Sequence, residues 1–223
     1  MEALVQASNL GRRFGRRWAV ARVDLTIHAD ERLLVIGPNG CGKTTLLRVL
    51  STLLPPQQGQ VVWFGGAPSA RQHIGLMGHE PGVYEDLSAS DNLRVFARLM
   101  NTQETDPTHL LKTVGLDDRP DSVARYSAGM RRRLALAFLL QKQPKLALLD
   151  EPFAQMDPGG IAQVSSAILA LPGAVVIASH QVHHAAPLCD RAILMDEGQI
   201  RWTGPADKAE AAWRALHEER GDL

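Results

Sequence analysis

The nine residues Gly37-Pro38-Asn39-Gly40-Cys41-Gly42-Lys43-Thr44-Thr45 constrain this chain more than any other feature. They follow an apolar run, Leu33 to Ile36, and lead into Leu46, Leu47, Leu50 and Leu53 at helical spacing. The pattern reads as strand, glycine-rich loop, helix. Glycines let successive backbone N–H groups turn inward on phosphate oxygens, and the helix N-terminus adds its partial positive charge. In such a loop Gly37, Pro38, Asn39, Gly40, Cys41, Gly42 and Thr45 form the cradle. Lys43 reaches the β- and γ-phosphates, and the Thr44 hydroxyl is a ligand for Mg²⁺. A chance glycine-rich turn is the bland alternative, but it does not explain Gly37, Gly42, Lys43 and Thr44 in this order between strand and helix. The stretch predicts a bound nucleoside triphosphate.

At 223 residues the chain suits one large domain, or a core carrying one subdomain. Its 24 basic and 24 acidic side chains cancel, so no global charge draws it to nucleic acid or anionic lipid. The cysteines Cys41 and Cys189 make no disulfide framework and fit a reducing compartment. The first residues lack a basic region followed by an apolar stretch, and no apolar run approaches a membrane span. A membrane role therefore requires spans on another chain.

The opening reads as β structure. Val23, Leu25 and Ile27 alternate with Asp24 and Thr26, as in a half-buried strand. The run Arg12-Arg13-Phe14-Gly15-Arg16-Arg17-Trp18 before it reads as a solvated loop, with RNA binding as the alternative. The helix after the phosphate loop is expected to reach Pro55-Pro56. Short strands follow at residues 60–64 and 73–77. From Ser88 the period becomes helical, with Leu93, Phe96, Ala97 and Met100 on one face and Ser88 and Asp91 at capping-box spacing. Asp106-Pro107 opens a second helix that Gly115 is placed to end, and a third begins at residues 126–130.

Beyond this helical segment, residues 145–149 form an apolar strand ending in Asp150-Glu151-Pro152, and Asp157-Pro158 caps a helix. A strand at 174–178 ends at Ser179-His180. Residues 191–195 and 199–203 flank Asp196-Glu197-Gly198 as a hairpin. Ala209, Ala212, Trp213 and Leu216 share one face of a terminal helix expected to dock on its own domain. No internal repeat or linker is visible.

The strand before Asp150 delivers a carboxylate at its C-terminal end, where it can hold Mg²⁺ directly or through water. Glu151 is then the natural base or positioner for an attacking water. Ser127, at a helix start among small residues, makes either another anion-binding N-terminus or a simple cap. Cys41, beside Lys43 and near a helix start, favours a thiolate unless it is only a small residue that fits. His180, His183 and His184 suggest a metal site, but no third ligand stands near them in the sequence.

Taken in order, residues 37–45, 126–130, 146–152, 155–157 and 179–180 resemble the nucleotide-binding subunits of ABC transporters. The resemblance spans essentially the whole chain. It implies a single α/β domain over residues 1–223. A P-loop NTPase core with a mostly parallel sheet (about 1–87 and 142–223) would carry an N-terminal antiparallel β portion and an inserted helical subdomain at about 88–141. It further implies Mg²⁺-dependent ATP hydrolysis in a head-to-tail homodimer, at the inner face of the cell membrane, coupled to an integral-membrane partner docked near residues 81–87. Nucleic acid has no part in it.

Carried over by position, Ser127 and Gly129 would contact the γ-phosphate bound by the other subunit. Asp157 would be the D-loop aspartate, His180 the switch histidine and Phe14 the adenine-stacking aromatic. His79 falls where the family has its Q-loop glutamine, near Mg²⁺, and an imidazole also offers a donor and an acceptor. The signature departs from Leu-Ser-Gly-Gly-Gln at Tyr126, Ala128 and Met130, which predicts reduced but real function. Residues 78–82, Ser127-Ala128-Gly129 and Ser179-His180-Gln181 look like the ATP-binding subunit of the cytochrome c maturation heme exporter, with another small exporter as the alternative. A soluble ABC-type switch and a P-loop kinase are the readings from other classes. The first usually carries a long coiled-coil insertion or two fused ATPase domains, and the second leaves residues 126–130 unexplained.

Overall fold

The computed structural model describes residues 2–79, 82–102 and 105–220. The expected partner-docking segment, 81–87, therefore begins outside the described residues. Two sheets build the molecule. The first is antiparallel and three-stranded, ordered β2-β1-β4. Its strands are β1 (Ala3–Phe14), β2 (Arg17–His28) and β4 (Gln58–Trp63). The second has six strands, ordered β5-β6-β7-β3-β8-β9. These are β3 (Arg32–Ile36), β5 (Ile74–Met77), β6 (Leu146–Asp150), β7 (Ala174–Ala178), β8 (Arg191–Asp196) and β9 (Gln199–Pro205). All neighbours in it are parallel except β8 and β9, which close it as the expected hairpin.

The parallel strands are apolar on both faces because both faces are covered. Leu33, Val35, Leu146, Leu148, Val176 and Ile193 point to one core, shared with α1 (Lys43–Leu50) and the antiparallel sheet. Leu34, Ile36, Ala147, Leu149, Val175 and Leu194 point to the other. That second core is shared with α2 (Ala89–Met100), α3 (Pro107–Thr113), α4 (Ala128–Lys142), α5 (Pro158–Leu169), the short α6 (Val182–Ala185) and α7 (Ala209–Arg220). Helix α1 is thus clamped between two sheets, which fixes the loop at its N-terminus. Among the described residues no helix is long and apolar enough to cross a membrane.

The caps follow the sequence. Ser88 accepts from the Asp91 N–H, Asp106 from Thr108, Ser127 from Met130 and Asp157 from Gly160. Gly115, at φ 68°, ends α3 with its N–H on the Lys112 carbonyl and the Leu116 N–H on Leu111, a Schellman closure.

Two expectations fail. Helix α1 stops at Leu50, not at the prolines, because Thr52 takes φ 67° and Leu53 is left half exposed. The basic run is not a loop. Arg12, Arg13 and Phe14 end β1, Arg17 and Trp18 begin β2, and Gly15-Arg16 is a hairpin turn. Arg12 lies over the Phe14 ring at 5.3 Å and Arg13 over Trp18 at 5.7 Å, so the aromatics order the arginines.

Candidate active site

The glycine loop leaves the C-terminal end of β3 and is held from two sides. A Cβ on Gly37 would strike the Met195 carbonyl, and one on Gly42, at φ 114°, the Ala19 carbonyl. Only glycine fits either place. The Gly198 N–H in the β8–β9 turn donates to the Cys41 carbonyl at 2.9 Å. Lys43, almost fully buried, turns its ammonium back on the loop, 2.7 Å from the Gly37 oxygen and 3.2 Å from that of Pro38. Arg17 of the hairpin reaches the Gly40 carbonyl at 3.3 Å. That contact ties the Phe14 hairpin to the loop, and Phe14 itself is exposed.

Of the two readings of Cys41, burial favours the second. Cys41 is 4% exposed, and burial pushes its thiol pKa up despite the facing Lys43 charge. It is the small buried residue, not an activated thiolate. Cys189 is deeper in pKa terms, pushed up to about 12 by burial, and neither cysteine is bonded to another.

Opposite the loop, β6 ends in Asp150 and Glu151. Asp150 is 2% exposed, its Oδ1 is buried with no hydrogen-bond partner, and burial pushes its pKa up. The facing Thr44 hydroxyl, His79 and Lys43 act in the opposite direction. An orphaned buried carboxylate oxygen beside a threonine hydroxyl is a hard oxygen donor set that suits Mg²⁺. No cluster of three or more His, Cys, Asp or Glu residues fit for a metal occurs among the described residues, and His180, His183 and His184 form no such site.

Glu151 and His180 meet directly. The His180 Nδ1 lies 2.8 Å from Glu151 Oε2, the His180 N–H donates to both carboxylate oxygens at 3.2 and 3.3 Å, and the Ser179 hydroxyl lies 3.3 Å from Oε2. A carboxylate only accepts, so Nδ1 carries the proton in this contact. Strand order explains the meeting: β6 and β7 are neighbours, and both residues follow their C-terminal ends.

Lys43, Thr44, His79, Asp150, Glu151 and His180 thus gather along the carboxyl ends of β3, β5, β6 and β7. Ser127, Gly129 and Asp157 stand elsewhere. The Ser127 hydroxyl caps α4 and Asp157 caps α5, while Gly129 approaches the Gln155 carbonyl. Sequence reasoning missed Arg132, which donates from Nη1 to the Glu151 carbonyl at 3.1 Å and is 4% exposed. The available signal was its spacing: Arg132, Leu136 and Leu139 share the buried face of α4.

A glycine-rich loop between β3 and α1, in a mostly parallel sheet in which β6 ends at Asp150 and is followed by Glu151, defines the class as a P-loop NTPase fold. A sequence model of the family described as ABC transporter matches residues 20–154. Over 213 residues the chain is 36% identical to the daunorubicin resistance ATP-binding protein DrrA3 of Streptomyces coeruleorubidus, covering 90% of this chain and 67% of that one. Over 191 residues it is 38% identical to the cytochrome c biogenesis ATP-binding export protein CcmA 2 of Cupriavidus metallidurans, covering 81% and 90%. An ATP-binding cassette solved as a dimer in a post-hydrolysis state with ADP and phosphate superposes with a TM-score of 0.80 at 20% identity, covering 91% and 98%. The chain belongs to the ABC transporter family as an ATP-binding subunit, and its domain is of the kind that hydrolyses ATP.

Proposed function

We propose that this subunit hydrolyses ATP, with Mg²⁺, to drive a separate membrane-embedded transporter subunit, and that it does so as a head-to-tail pair at the inner face of the membrane. The Glu151–His180 contact beside the phosphate loop carries this reading. The loop N–H groups of residues 37–45 and the Lys43 ammonium bind the β- and γ-phosphates, and Phe14 stacks on adenine. Thr44 and Asp150 hold Mg²⁺, with His79 in its surroundings. Bound there, the ion neutralises charge across the phosphates. Glu151 accepts a proton from the attacking water, and His180 keeps the carboxylate aimed. The products are ADP and phosphate.

The second chain closes the site. We take residues 88–141 as the helical part that presents Ser127 and Gly129 to the partner's γ-phosphate, with Asp157 beside them. The exposed N-terminus of α4 supports this, since its free N–H groups suit an anion. Between this helical part and the segment before it lies an apolar groove of about 380 Å³, lined by Val83, Tyr84, Phe96, Leu99, Met100 and Phe138. We assign it to the membrane partner. Nucleic acid has no role in this reading.

For cargo we take export in cytochrome c biogenesis, on the 38% identity to the protein of that name; the drug-resistance relative, at 36%, supports a small exporter of another cargo. A tagged chain is expected to co-purify from detergent-solubilised membranes with a multi-span protein encoded beside it, in a complex whose ATP turnover requires Mg²⁺. A deletion strain is expected to lose covalent heme from its c-type cytochromes. Recovery without any membrane protein overturns the transporter reading. Normal c-type cytochromes with drug hypersensitivity would move the cargo to the second relative's class.

A further inference from the structure

Glu151 occupies a backbone conformation that its sequence disfavours. It is not glycine, its φ is 52°, and it precedes Pro152, whose ring pushes the preceding residue toward extended geometry. Strain of this kind persists only where neighbours impose it, and it gathers at functional sites. The Glu151 N–H donates to the Ala178 carbonyl at 2.8 Å, which ties residue 151 to β7. Its carbonyl accepts from the Ala154 N–H at 3.2 Å and from Arg132 Nη1 at 3.1 Å. Two of these bonds are main-chain. The third comes from a side chain reaching across from α4.

That side chain is costly to place. Arg132 is nearly fully buried, and burying a guanidinium costs free energy unless partners offset it. Burial pulls its pKa down, while the charges of Asp150 and Glu151 act the other way. Among the described residues, its guanidinium hydrogen-bonds the carbonyl of the strained residue.

We propose that Arg132 is a positioning residue for hydrolysis: by holding the Glu151 carbonyl, it keeps residue 151 left-handed and its carboxylate seated on His180. The inference rests on the assignment of Glu151 as the group that handles the attacking water. Freed from Arg132, residue 151 relaxes toward the extended geometry favoured before proline. Its carboxylate then turns off the His180 N–H. The groups that this chain contributes to its own nucleotide, the loop residues 37–45 and Phe14, follow β3, open α1 and sit on the hairpin, so they make no contact with Arg132 that the substitution removes.

The test is Arg132→Met and Arg132→Gln, each alone and combined with Glu151→Gln, with kcat, KM for ATP and thermal melting measured. Glutamine, being polar, covers the case in which methionine fails to fold beside Asp150. In the wild-type background kcat is expected to fall about 10²-fold, as for a misplaced reacting group, with KM for ATP unchanged. In the Glu151→Gln background neither change lowers kcat further, because the carboxylate being positioned is gone. Wild-type kcat in a folded Arg132 variant overturns the inference alone, provided that Glu151→Gln is slow. Equal losses in both backgrounds also overturn it, by making Arg132 a general structural support. Wild-type turnover by Glu151→Gln itself overturns both the functional reading and this inference.

Discussion

Glu151→Gln is expected to bind ATP as the wild type does and to hydrolyse it roughly 10²–10⁴-fold more slowly, the range for losing a general base. Glutamine keeps the shape and an acceptor oxygen, so the hydrogen bond from the His180 N–H survives. It cannot take the water's proton. Binding persists because the cradling loop and Lys43 belong to β3 and α1 and Lys43 bonds the loop's own carbonyls, not the changed side chain. Removing the carboxylate also removes its repulsion from the γ-phosphate, so an ATP-bound pair should accumulate. Single-turnover hydrolysis and nucleotide binding on purified protein separate the two effects. Turnover near the wild-type rate would remove Glu151 from the chemistry.

Asp150→Asn is expected to act in opposite directions on stability and activity. Asp150 is buried with an orphaned Oδ1, and its pKa is raised in the folded protein. A carboxylate with a raised folded pKa costs stability above that pKa, and the cost is relieved as pH falls toward the unfolded value. Neutral asparagine removes the cost. Nucleotide-free Asp150→Asn should therefore melt above the wild type at neutral pH, with the gap narrowing on acidification. Hydrolysis should fall by about 10²-fold or more, because stabilisation by a metal ion is worth several kcal/mol and each 1.36 kcal/mol is a factor of ten. Calorimetry across pH and Mg²⁺-dependent turnover check the pair of effects. A lower melting temperature at neutral pH, with full activity, would show that Asp150 is a satisfied structural carboxylate.

Much of this architecture was legible because its signals are local. Ser88, Asp106, Ser127 and Asp157 each precede their helix and bond its first turn, so four starts could be read from adjacent residues. The parallel strands announce themselves as unbroken apolar runs, and Asp150, Glu151 and His180 follow them directly. The Glu151–His180 meeting needed only the neighbouring order of β6 and β7.

What escaped depends on long-range packing. Strand β1 pairs with both β2 and β4 through several register shifts, and Asn9 takes φ 48°, so its alternation is broken. The tip arginines therefore looked like a solvated loop. Leu53 keeps the helical spacing of α1, yet the chain has already turned at Thr52. For Cys41 the neighbouring Lys43 is visible in the sequence, but the burial that overrides it is tertiary. Arg132 stands between Arg131 and Arg133, and nothing in the adjacent residues marks which of the three arginines is buried. Arg133 in fact bonds the Gly115 carbonyl and Gln163, and Arg131 pairs with Glu85.

In the proposed pair, each ATP is hydrolysed between two chains, with Lys43 from one and Ser127 from the other. The most direct measurement mixes a Ser127→Arg chain with a Lys43→Ala chain, each inactive alone, and reads ATP turnover of the isolated heterodimer. One of its sites then carries both defects, and the other carries neither. If the sites act independently, the heterodimer should regain about half the wild-type activity. Turnover that stays at the level of the two parents, in heterodimers verified by mass, would contradict the shared site.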